Sequence, residues 1–305
     1  MPRYILSRVL ISVLTIFLLA TACFFLLRVL PGNPFQQGIV LDQQTIDRLN
    51  KYYGLDKPLH VQYFNYVRSL LGGDLGYSYK YPGRTVNSII ARNFPVSADL
   101  GLRALAVGFP LGLLLGCIAA KRRGQFADFA CVFIAVLGIS LPSFVLATLM
   151  QWLFGVKLGL LPISGWKGFS YSILPVFAMA MGSIASETRS MRANMLEVIS
   201  QDYSITAKAK GLGEWAVMVR HQIRNALVPM LTGLGMRVAG IIMGSLIIEQ
   251  IFVLPGLGFY YTDAIKSLDY TMVMGITIFY GIILVFMNFL VDISYGLVDP
   301  RIRIY

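Results

Sequence analysis

Of the 305 residues, 56% are hydrophobic and only 13% are charged, too little polar surface to clothe a water-soluble globule of this size, so the chain reads as an integral membrane protein. The formal charge of +11 does not signal a nucleic-acid partner, because the basic residues are scattered between apolar blocks. The three cysteines, Cys23, Cys117 and Cys131, fall inside those blocks without C-x-x-C spacing, as small packing residues do.

Taking roughly twenty apolar residues per crossing, the sequence predicts an all-α, polytopic protein with spans at 9–29, 100–120, 129–154, 173–189, 230–252 and 272–295, in a single domain over 1–305. Arg3 and Arg8 precede the first run, which continues too long for a signal-peptide core and has no small-residue cleavage pattern, so it is read as a retained span. The segment 31–96 opens with the helix stop Pro31-Gly32-Asn33-Pro34. It predicts an amphipathic helix carrying Leu41, Ile46, Leu49 and Tyr53, then a second over 59–71 ended by Gly72-Gly73. The aromatics crowded here, Tyr52, Tyr53, Tyr63, Phe64, Tyr66, Tyr77, Tyr79 and Tyr81, suit either an interfacial belt or a lid touching an external delivery protein. Gly108, Gly112 and Gly116 in the second span, and Gly240 and Gly244 in the fifth, have the spacing that lets helix backbones approach in lipid. Pro110 predicts a kink in the second span.

Basic residues set the expected orientation. Arg3, Arg8, Lys121, Arg122, Arg123, Arg189, Arg192, Lys208, Lys210, Arg220, Arg224, Arg301 and Arg303 fall on one side, against Lys157, Lys167 and Lys266 in the short loops of the other. Both termini and the polar loop 187–229 are therefore predicted to be cytoplasmic, and 31–96 extracytoplasmic. In that loop, Met191, Met195 and Val198 or Ile199 share a helical face suited to the headgroup layer. The next helix, 203–210, stops at Gly211 and has the small-residue surface of a segment that enters a groove on a partner.

Catalytic chemistry finds no foothold. No Gly-Lys dipeptide is present for a P-loop, no G-x-S-x-G or H-E-x-x-H occurs, and His60 and His221 lie on opposite sides of the predicted bilayer. The expectation is a chain that is not an enzyme, with no catalytic, cofactor or metal site of its own. Ionisable groups at membrane depth are costly and mark pathways or structural pairs. Arg237 and Glu249, with Ser245 nearby, are the residues assigned to a translocation pathway, while Arg103, Asn288 and Asp292 are the other polar residues in or near the spans.

The string Thr206-Ala207-Lys208-Ala209-Lys210-Gly211 resembles the EAA loop of binding-protein-dependent ATP-binding-cassette importers, with Thr206 where the general pattern has Glu. Arg220-His221-Gln222-Ile223-Arg224-Asn225-Ala226-Leu227-Val228-Pro229 is similar to its continuation in the peptide-transport branch. Arg3-Tyr4-Ile5-Leu6-Ser7-Arg8, Tyr53-Gly54-Leu55-Asp56-Lys57-Pro58, Gly73-Asp74-Leu75-Gly76, Pro142-Ser143-Phe144, Leu254-Pro255-Gly256-Leu257-Gly258 and Asp299-Pro300-Arg301 extend the likeness over the whole chain. It resembles the B-type permease of an oligopeptide importer, and Phe35 with Ser78-Tyr79-Lys80-Tyr81 looks more like the oligopeptide members than the dipeptide or nickel ones.

The resemblance implies the type I importer fold in a bacterial inner membrane. The implied partners are a second homologous permease, two ATPase subunits that carry the ATP and Mg, an extracytoplasmic peptide-binding protein, the peptide itself and membrane lipid. It implies an ATPase-coupling element of Tyr203, Thr206, Ala207, Lys208, Ala209, Lys210, Gly211 and Leu212, and a binding-protein-facing stretch that includes Tyr77, Tyr79 and Tyr81. The alternatives are a dipeptide or nickel-chelate permease of the same family, or, from another class, an intramembrane enzyme or an ATP-independent secondary transporter. No His or Cys cluster of the kind a metal-chelate path would want is visible, and no inverted repeat is apparent.

Overall fold

The computed structural model describes residues 2–29, 35, 43–232 and 234–298, and among them every regular element is helical apart from one isolated bridge between Tyr77 and Thr85. The helices are α1 (Pro2–Val29), α2 (Gln43–Tyr53), α3 (Leu59–Leu71), α4 (Val86–Lys121), α5 (Phe126–Ser140), α6 (Ser143–Met150), α7 (Phe169–Ile199), α8 (Asp202–Ala209), α9 (Glu214–Val217), α10 (Arg224–Thr232), α11 (Leu234–Ile242), α12 (Leu246–Ile251), α13 (Leu257–Lys266) and α14 (Tyr270–Val298). π-Helical turns, Gln151–Lys157 and Met218–Ile223, follow α6 and α9. Pro31-Gly32-Asn33-Pro34, Leu41, Arg301 and Arg303 lie outside the described residues, as do the side chains of Arg3 and Asp292.

Among the described residues, four helices, within α1, α4, α7 and α14, are long and apolar enough to cross a bilayer, and the number reaches six if each of two bent pairs is one span. The predicted third span, 129–154, is not one rod: α5 and α6 meet at 102°. Pro142 lacks the N–H that would continue the helix and forces Leu141 into extended backbone (φ −90°, ψ 122°). The predicted fifth span, 230–252, is also broken, with a 64° bend between the helices on either side of residue 233 and a second stop before α12. That second stop is Gly244, at φ +76°, followed by Ser245, whose Oγ caps α12 by accepting from Ile248 N at 3.3 Å. Gly244 is therefore a turn residue, closely packed as well, whereas a Cβ on Gly240 would touch nothing within 4 Å.

The glycines of α4 do pack. Cβ atoms placed on Gly108, Gly112 and Gly116 would meet Ser183 at 3.0 Å, Glu187 at 2.5 Å and Met191 at 2.6 Å on α7. Both helices advance four residues per contact, so α4 and α7 run parallel in close backbone contact. Their shared direction puts α2 and α3, which precede α4, at the opposite end of the bundle from α8 and α9, which follow α7. At 36 residues α4 is about 54 Å long, more than the roughly 30 Å of hydrocarbon, so the last part of the segment 31–96 belongs to α4. The helix is continuous through Pro95 and Pro110.

Candidate coupling surface and flanking sites

α7 outlasts its apolar portion, and its Met191, Met195 and Val198 are buried against Cys117, Ala120, Met218, Ala226 and Met230. This face packs inside the protein, contrary to the interfacial reading, because α10 and the π turn before it fold back over it. The result is a stem that carries α8. Ser204 Oγ donates to Val198 O at 2.8 Å and Ala207 is buried, which fixes one face of α8 to the stem. α8 ends as Gly211 N donates to Lys208 O at 2.9 Å with Gly211 at φ +80°, a left-handed cap that favours glycine.

The other face is open. Tyr203 (42% exposed), Ile205 (57%) and Trp215 (68%) project with Thr206, Lys208, Ala209, Lys210 and Gly211, while Leu212 is half-buried. Of the eight residues assigned to coupling, only Ala207 points inward. Large apolar side chains beside free lysines are what a protein partner covers, since water gains nothing from the rings and the cations add specificity.

The residues assigned to a pathway are drawn into the chain's own architecture. Arg237 Nη1 donates to Glu187 Oε1 and joins α11 to α7 beside Gly112; Glu187 Oε2 is buried without a partner. Ser245 is a helix cap. Glu249 is 0% exposed and faces the interior of the chain. Its Oε2 accepts from Phe259 N at 3.2 Å, and Cβ atoms on Gly244, Gly256 and Gly258 would lie 2.2, 2.3 and 2.8 Å from its carboxylate oxygens. Ser97 of α4 closes the cage, accepting from Leu257 N at 2.8 Å. Thus α4, α12 and α13 converge on one carboxylate.

At the α2–α3 end, sequence reasoning missed the two residues that organise the tyrosines. Asp269 caps α14 through Met272 N (3.1 Å), and its Oδ2 accepts from Ser78 Oγ (2.5 Å), Tyr79 N (2.9 Å) and Lys80 N (3.1 Å). Asp263 accepts from Lys80 Nζ (2.5 Å) and from the Tyr81 hydroxyl (2.6 Å). Burial, and then the bond to Asp263, push the Tyr81 phenol up, which keeps it a donor. Tyr79 meets Tyr53 edge-on and Phe35 at a tilt, and Tyr81 packs at a tilt against Tyr260; of the three predicted partner-facing tyrosines, only Tyr77 is exposed, at 50%. An aspartate just before a long apolar run is a cap signal that could have pointed to Asp269. Nothing local marks Asp263.

The sequence profile of the binding-protein-dependent transport system inner membrane component matches residues 112–304, and that of the N-terminal part of such components matches 1–101. The chain belongs to this permease family. The permease is 45% identical over 305 residues to the dipeptide transport system permease protein DppB of Bacillus subtilis, covering 100% of this chain and 99% of that one. It is 39% identical to the oligopeptide transport system permease protein OppB of Haemophilus influenzae, over 99% and 100% of the two chains. The crystal structure of an amino acid ABC transporter with histidines shares the fold, with a TM-score of 0.56 at 16% identity over 70% of this chain and 95% of that one. The permease is thus a multi-pass protein of the bacterial plasma membrane.

Proposed function

We propose that this permease is one of two related membrane subunits of an ATP-driven peptide importer, taking substrate from an extracytoplasmic binding protein. Hydrolysis belongs to two separate ATPase subunits that carry the ATP and Mg; this chain is not an enzyme and holds no cofactor. The observation that carries the reading is the mixed apolar and basic face of α8 and α9, held out from the bundle on a packed stem. On this reading it docks on an ATPase, and rearrangement of the ATPase pair moves the stem and the helices packed on it. The termini and this surface are cytoplasmic, in keeping with the basic residues around them, and α2, α3 and residues 77–81 are extracytoplasmic. Of Tyr77, Tyr79 and Tyr81, Tyr77 is the one best exposed to the binding protein.

Peptide as substrate is supported by the names of relatives at 45% and 39% identity, one a dipeptide and the other an oligopeptide permease, a spread that does not favour the oligopeptide expectation. Gly211 provides the test. Its Cβ position has nothing within 4 Å, so in the free chain Gly211→Trp costs only the backbone strain of φ +80°, roughly 1–2 kcal/mol, which Gly211→Ala shares. In the reconstituted complex, Gly211→Trp should abolish peptide-stimulated ATP hydrolysis while Gly211→Ala retains most of it. Normal uptake by an assembled Gly211→Trp complex would reject the coupling role.

A further inference from the structure

The helix α11 has two unlike faces. Gly235, Ala239 and Ile242 are buried, and the helix packs on α4 and α14. Met236, 63% exposed, and Gly240 stand open on the other side. Met243 N donates to Ala239 O at 3.0 Å, which carries the helical path one residue past α11 and places half-buried Met243 on the same side. Met236, Gly240 and Met243 thus follow the i, i+4, i+7 order of one stripe, with Arg237 along its border.

Arg237 fixes the depth of the stripe. Lys121, with exposed Arg122 and Arg123 after it, marks where α4 leaves the hydrocarbon. Glu187, which accepts from Arg237 Nη1, lies against Gly112, about 14 Å along α4 from Lys121 and so near the middle of the roughly 30 Å of hydrocarbon. At that depth the Arg237 side chain is still 35% exposed. A cation there faces water or a polar partner rather than lipid tails, so the stripe it borders opens away from the bilayer. Methionine is unbranched and polarizable and adapts to varied apolar shapes, and Gly240, whose Cβ would have nothing within 4 Å, leaves a gap between two of them. Such a wall suits a ligand of constant backbone and changing side chains.

We propose that this stripe is the part of the translocation passage that the peptide's side chains slide past, with Gly240 setting the bulk that can go through. The peptide rests on the import reading above; the water-facing wall is read from the depth and exposure of Arg237. The test uses the complete importer reconstituted in liposomes with Gly240→Leu, a change the free chain has room for. Relative to wild type, uptake of diphenylalanine should fall at least tenfold and uptake of dialanine less than threefold. In a second variant, Gly240→Cys, a charged, membrane-impermeant methanethiosulfonate should label position 240 in the nucleotide-free or the ATP-bound complex. The parent chain gives the background, since its Cys117 and Cys131 are buried and its Cys23 half-buried.

Equal loss of both dipeptides, or loss of neither, overturns the proposal. So does failure of the charged reagent to label in both states: labelling by a hydrophobic maleimide alone then gives the stripe to lipid, and release of this chain from the Gly240→Leu complex in mild detergent gives it to the second permease. Wild-type uptake reports separately on the import reading. If neither dipeptide enters, that reading falls, while labelling still decides whether the stripe faces water.

Discussion

Replacing Asp269 by alanine should release residues 78–80 from the bundle. The side chain is fully buried and accepts four hydrogen bonds, three from residues 78–80 and one from Met272 N at the start of α14. A hydrogen bond to a charged group is worth roughly 1.5–3 kcal/mol, and the donors left behind lose solvation they cannot fully recover. The four share one acceptor and are not additive, so the net local cost is about 3–5 kcal/mol. Partial relief comes from the Lys80 and Tyr81 bonds to Asp263, which hold the same loop. At 1.4 kcal/mol per factor of ten, even 3 kcal/mol makes the opened loop about a hundredfold more populated. Hydrogen–deuterium exchange of the Tyr79 and Lys80 amides should accelerate by about that factor, with α4 and α7 amides unchanged. Unaltered protection at Tyr79 and Lys80 in Asp269→Ala would refute the reasoning, since no other acceptor is recorded for those amides.

The α4–α7 contact predicts that Gly112→Leu, whose Cβ would lie 2.5 Å from that of Glu187, forces the helices apart at a cost of about 1–3 kcal/mol or more, read as a lowered unfolding temperature in detergent; Gly240→Leu should be nearly neutral in the isolated chain. Asp128→Asn breaks the two-bond pair to Arg192, 2.7 and 2.8 Å, which ties α5 to α7. With Arg192 29% exposed, a loss of about 1–3 kcal/mol is expected, less than for a fully buried pair, and an unchanged unfolding midpoint would count against it. Tyr81 sets a pH response. Its pKa is raised on folding, so its contact with Asp263 contributes stability that is complete below the ordinary tyrosine value of about 10 and fades as pH climbs beyond it. Exchange protection around residue 81 should fall through that alkaline window in the wild type and much less in Tyr81→Phe.

The membrane class, the approximate span positions, the helices of the segment 31–96 and the end of α8 at Gly211 were all legible in the sequence, because each depends on local composition or on a single residue's backbone preference. Runs of apolar residues mark what lipid or core must cover, and a glycine in left-handed backbone ends a helix wherever it sits. The small-residue spacing in α4 was equally readable, although the same spacing in 240–244 proved to be a turn; spacing says that close approach is possible, not what approaches. Only the tertiary structure decided that Pro142 and Gly244 break two spans, that the Met191 face is covered by α10, and that Glu249 sits in a glycine cage. Nor could the sequence pair Asp269 with residues 78–80 or Glu187 with Arg237, since 189 to 191 and 50 positions separate the partners. A buried carboxylate is stable only where donors converge on it, and that convergence comes from packing between helices that no local pattern encodes.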